Sequence, residues 1–113
     1  MIYLASPFSH PSPKVRQARV EAVADYVRWH ILEKGVPIFS PVLYTAALPD
    51  APIPFEPWVP FNDRMIELCS TFAVYQLPGW EESRGIAHES NLASRLGKEI
   101  TFIPYLSTSP FAR

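Results

Sequence analysis

FAVYQLPGWEESRGIAHESNLASRLGKEITFI, residues 72–103, sets two short apolar runs on either side of a longer segment that opens with a serine cap signal and closes on glycine. Phe72–Leu77 (FAVYQL) and Ile100–Ile103 (ITFI) have the length and residue types of buried strands, and Arg84–Gly97 reads as a helix capped by Ser83. Two strands joined through a helix run parallel, because the crossover has to carry the chain back to the starting edge, and such crossovers are right-handed.

The alternation continues upstream. Met1–Ala5 (MIYLA) is an apolar strand that feeds SPFSHPSP, a loop broken by three prolines. Ser12 can cap a helix with Pro13 in its first turn, and Val15, Ala18, Ala22, Val23, Tyr26, Val27 and Ile31 then recur at helical spacing as far as Gly35. Val36–Phe39 (VPIF) is a second strand and Phe61–Ser70 a short helix. Between them Ser40–Pro60 holds six prolines and no helical period, so it reads as a long irregular loop. The expected fold is one α/β domain over the whole chain, a doubly wound parallel sheet of four to five strands between two helical layers. In such sheets ligands bind beyond the carboxyl ends of the strands, which here directs attention to the loops Ser6–Ser12, Ser40–Pro60 and Pro78–Ser83.

Composition narrows the ligand. The chain has 113 residues, 48% hydrophobic, with 10 basic against 11 acidic side chains and no basic run. Nothing in that balance attracts a nucleic-acid polymer or an anionic membrane, and no segment reaches the ~20 apolar residues of a span. A cytoplasmic protein with a small-molecule partner is expected. The single cysteine, Cys69, falls in the apolar pattern of Met65, Ile66 and Leu68 and reads as a buried thiol. His10, His30 and His88 lack metal-ligand spacing, and neither a G-x-G-x-x-G nor a G-x-x-x-x-G-K-[ST] loop occurs, so no metal and no cofactor is expected.

Gly85 lies in the first turn of the last helix, where glycine costs roughly 0.5–1 kcal/mol against alanine. Glu89 lies four residues on, along the same face, and its side chain leans back over the turn that Gly85 leaves bare. A ligand can rest there, with backbone amides from Arg84 to Ile86 turned toward any anion; the plainer alternative is a solvated glutamate beside an incidental glycine. Asn62 and Asp63 open the short helix as site candidates or as caps. Tyr3 stands in the first strand with a hydroxyl that needs a partner, Ser6 and His10 can donate to a ligand from the first loop, and Trp80 reads as a lid or a subunit contact.

In order and spacing, Tyr3 within IYLASPF, Asn62-Asp63 within FNDRMIELCS and Glu89 within GIAHESNLASRLGKEI resemble the nucleoside 2-deoxyribosyltransferase superfamily. The likeness spans nearly the whole chain and is closest to a bacterial and phage branch with LPGW before the last helix. It implies a flavodoxin-like, Rossmann-like fold and action on an N-glycosidic bond. Glu89 would be the nucleophile at the anomeric carbon, Asp63 the residue that assists at the base, and Tyr3 the one that orients Glu89. Six residues before the glutamate the transferases carry an aspartate that holds the sugar, whereas here that residue is Ser83, as in the related 2'-deoxynucleoside 5'-monophosphate N-glycosidases, where it binds phosphate. The resemblance therefore implies cleavage or transfer of the base of a deoxynucleoside or its 5'-monophosphate, with Ser6, His10, Asn62, Trp80, Ser83, Arg84 and Gly85 at the substrate. A non-catalytic nucleotide-binding or sensing module is the alternative. A homo-oligomer, dimer or tetramer, is implied too, and Phe55, Trp58, Phe61 and Trp80 supply apolar surface to cover.

Overall fold

The structure is a computed structural model and describes residues 1–48 and 58–106. Its four strands, β1 (Ile2–Ala5), β2 (Ile38–Phe39), β3 (Thr71–Gln76) and β4 (Glu99–Pro104), all run parallel in the order β2-β1-β3-β4. That order is the flavodoxin-like one, with its switch point between β1 and β3. Tyr3 pairs with Phe39 on one side and Phe72 on the other, so it stands at the centre of the sheet.

Alternation along the strands sorts the core into two layers. Leu4, Ala73 and Tyr75 face α1 (Pro13–Lys34), where Val23 and Tyr26 meet them. Tyr3, Ala5, Phe72 and Val74 face the opposite way, onto Ile66 of α3 (Trp58–Leu68) and onto Ile86 and Ala93 of α4 (Arg84–Arg95). The expected three-layer α/β/α arrangement is what the chain forms, and Cys69 is buried within the α3–α4 layer.

The helix boundaries follow their caps. Ser12 Oγ accepts the Val15 amide and Pro13 occupies the first turn, while Gly35, at φ +65°, ends α1 by returning its amide to the Ile31 carbonyl. The inward stripe drifts along this helix to Val23, Tyr26 and His30, leaving Ile31 half exposed, so the expected apolar face does not include Ile31 in its last turn.

The reading of Ser40–Pro60 as irregular throughout needs correction. Ser40 caps a further helix, α2 (Pro41–Ala46), its Oγ accepting the Leu43 amide at 3.1 Å. The same Ser-Pro signal that starts α1 starts this one, and six residues are too few to show a period. α3 also begins at Trp58, three residues earlier than the expected Phe61; residues 49–57 lie outside the described part. Among the described residues no helix is long and apolar enough to cross a membrane.

Candidate active site

The carboxyl ends of β1 and β3 open into a cleft of about 1500 Å³. Its lining joins apolar side chains, Pro41, Val42 and Ala46 of α2 with Trp58 and Val59, to polar ones, His10, Arg16, Glu82, Ser83 and Arg84. Glu89 is part of the same lining.

Glu89 is only 5% exposed, although it reaches the cleft. It is therefore not the solvated glutamate of the plainer reading. The Tyr3 hydroxyl donates to Glu89 Oε2 across 86 residues of chain, and the tyrosine ring is fully buried, stacked on Phe72 at 5.6 Å and tilted against Phe39 at 5.8 Å. A ring wedged in this way has no freedom to swing, so the hydroxyl is a fixed donor. Burial pushes the Glu89 carboxyl up to about 7; the Tyr3 hydrogen bond and His88 oppose the rise, and the nearby Asp63 charge adds to it. Burial and the facing carboxylate drive the Tyr3 phenol far above its ordinary range, so it remains a neutral donor.

Asp63, on α3, meets His88 of α4 at 3.0 Å between Oδ1 and Nε2. His88 lines the cleft and Asp63 stands behind it, close enough for its charge to act on both Glu89 and Tyr3. Asn62 is buried, on the wall itself. The packing of α3 against α4 thus assembles Asp63, His88 and Glu89, with Tyr3 reaching up from the sheet below.

Ser6 follows directly on β1, with its hydroxyl buried and unpartnered among the described residues, facing the cleft. His10 uses Nδ1 to accept the Ser12 amide at 3.0 Å, which leaves the proton of the neutral ring on Nε2. Ser83 caps α4 by accepting the Ile86 amide at 3.2 Å, and the amides of Arg84 and Gly85 have no acceptor among the described residues. Of the expected anion-facing amides, then, that of Ile86 is occupied. Gly85 lies on the cleft wall and Arg84 beside it is exposed. Trp80 stands apart, in the short 3₁₀ turn Trp80–Glu82, packed on the α3–α4 core layer and on Phe102 at 5.9 Å. Among the described residues no group of three or more His, Cys, Asp or Glu side chains is gathered as a metal ion would need.

The sequence model of a domain of unknown function, DUF1937, matches residues 1–104. The chain belongs to the DUF1937 family. No curated protein matches it. The DUF1937 match takes in β1 through β4, and with them every residue of the cleft described above. Several residues of this site, Arg16 among them, are not singled out by sequence reading. His88 reads only as a histidine without metal-ligand spacing, and its bond to Asp63 depends on helix packing that no spacing reveals. Arg19, on α1, carries no local signal at all, yet it lines the cleft and binds two of its loops.

Proposed function

We propose that this DUF1937 protein cleaves or transfers the N-glycosidic bond of a 2'-deoxynucleoside or its 5'-monophosphate, with Glu89 as nucleophile. The observation that carries the reading is a buried carboxyl in the lining of a cleft, held by a tyrosine hydroxyl and raised toward neutrality by burial. A carboxylate so placed suits a reacting carbon that gains positive charge, as the anomeric carbon does when a base departs.

In the first step a Glu89 oxygen bonds to C1', the C1'–N electron pair leaves with the base, and the base takes a proton from the Asp63–His88 pair. In the second, water or an acceptor base attacks C1', the glycosyl–Glu89 bond breaks, and the proton of the attacking group returns to that pair. Tyr3 keeps one Glu89 oxygen engaged, which leaves the other for the sugar. The apolar side chains of the lining suit a flat base, and its arginines suit the far end of the nucleotide.

Phosphate preference rests on Ser83, Arg84 and the two open amides at the start of α4. The helix dipole contributes about 0.3–1 kcal/mol and a charge-assisted hydrogen bond about 1.5–3, which together favour a monophosphate over its nucleoside by roughly 20- to 700-fold. The test is a panel of deoxynucleosides and their 5'-monophosphates, with and without an acceptor base, followed by chromatography for free and exchanged base. Release is expected, fastest from monophosphates. Ligand binding with no base released from any member would leave a nucleotide-binding module instead.

A further inference from the structure

In the loop 6–12 after β1 the carbonyls of Phe8, Ser9, His10 and Pro11 are taken by the side chains of two arginines of α1, and that of Ser12 by the Arg16 amide that opens the helix. Arg16 serves His10 and Pro11. Arg19 does something different. Its Nη1 donates to the Ser9 carbonyl at 2.9 Å and to the Phe8 carbonyl at 3.3 Å, while Nη2 donates to the Pro78 carbonyl at 3.0 Å, 59 residues along the chain. One guanidinium therefore ties the loop after β1 to the loop after β3, and all the residues it joins line the cleft. The next residue is Gly79, at φ +91°, where a Cβ would stand 2.6 Å from Arg19 Nη2. Glycine there supplies both the left-handed backbone and the space the guanidinium occupies.

We propose that Arg19 is a positioning residue whose guanidinium, seated against Gly79, clasps the β1 and β3 loops together and so fixes the distance between the Ser6 side of the cleft and the Ser83 side. A planar fork with donors on both nitrogens can span two loops at once, which a single ammonium cannot do in the same geometry. Glu89 and Tyr3 are anchored separately, by the sheet and by α4, so the clasp acts on how substrate is held rather than on the nucleophile.

The kinetic half of the test rests on the reaction proposed above; the exchange half does not. In Arg19→Ala, hydrogen exchange of the ligand-free protein is expected to quicken in both loops together, at Ser12 on one side and at Trp80, Glu82 and Ser83 on the other, with α4 and β3 unchanged. For a nucleotide that is turned over, KM is expected to rise about tenfold with kcat within about threefold and the acid limb of the pH profile unmoved, as a misaligned binding loop would give. Arg19→Lys should recover part of the loss. Gly79→Ala, whose Cβ would displace the guanidinium, should quicken exchange in the same two loops. Faster exchange in only one loop, or in neither, would overturn the clasp, as would a loss confined to kcat with KM unchanged. If the parent protein releases no base from any nucleotide, the reaction fails and the exchange result still decides the clasp.

Discussion

A carboxyl that ionises near pH 7 inside a folded protein resists its own charge, and Glu89 carries that cost. Its value is raised to about 7 from an ordinary 4.5, so between those two points the folded chain binds the extra proton. Stability from this group is complete below about 4.5 and is lost as pH rises through about 7. Glu89→Gln, which cannot ionise, is expected to be more stable than the parent by about 1–3 kcal/mol at pH 8 and nearly equal at pH 5, as urea unfolding at the two values would report. Equal stability at both would contradict a buried, costly charge. Activity runs the other way, since the nucleophile must be ionised: kcat/KM should climb with an acid limb near 7. Tyr3→Phe removes the hydrogen bond that lowers the Glu89 value, so that limb should move upward and the rate fall by about 10- to 100-fold; a limb that stays or moves down would deny Tyr3 its orienting role. Glu89 itself was legible from the Gly85 spacing, because a fixed four-residue offset within one helix is local geometry. Its Tyr3 partner stands 86 residues away, and from the chain alone only the family resemblance joined the two.

The elements follow from short-range signals where those exist. Ser12-Pro13, Ser40-Pro41 and Ser83 each cap a helix, and two of the three were read as such; α2 escaped because one and a half turns offer no period against six prolines. Trp58 as the start of α3 escaped for the same reason, lying in proline-rich sequence. The cap of α4 also carries a prediction. Ser83→Ala should cost about 1 kcal/mol of stability through the lost Ile86 bond. Ser83→Asp should keep the cap and, by setting a negative charge where phosphate would sit, reduce the 5'-monophosphate preference to near parity. Comparing kcat/KM for a deoxynucleoside and its monophosphate in parent and variant checks this; an unchanged preference in Ser83→Asp would reject the phosphate seat.

At the scale of the molecule, the strand–helix alternation gave a parallel sheet, but not which strands lie at its centre. That order decides the site, because only with β1 beside β3 do Tyr3 and α4 face each other. It also leaves an aromatic face. Phe39 of β2, Tyr44 of α2 and Trp58 and Phe61 of α3 pack together, with Tyr44 and Phe61 partly exposed, whereas Trp80 packs at the β4 edge of the sheet and Phe55 lies outside the described residues. A homo-oligomer, as the family resemblance implies, would cover this face: light scattering at micromolar concentration should then give at least twice the 12.8 kDa chain mass, and Tyr44→Glu/Phe61→Glu should shift it toward the monomer. A monomer mass for the parent would remove the claim.

The central claim is that Glu89 is the group that breaks the glycosidic bond, and free base released from a deoxynucleoside 5'-monophosphate at pH 8, by the parent and by Glu89→Gln in parallel, tests it most directly. Release by the parent and a loss of at least about a thousandfold in the variant, with nucleotide affinity kept within a few-fold, is the expected result. No release by the parent, or turnover in Glu89→Gln within a few-fold of it, would contradict the account.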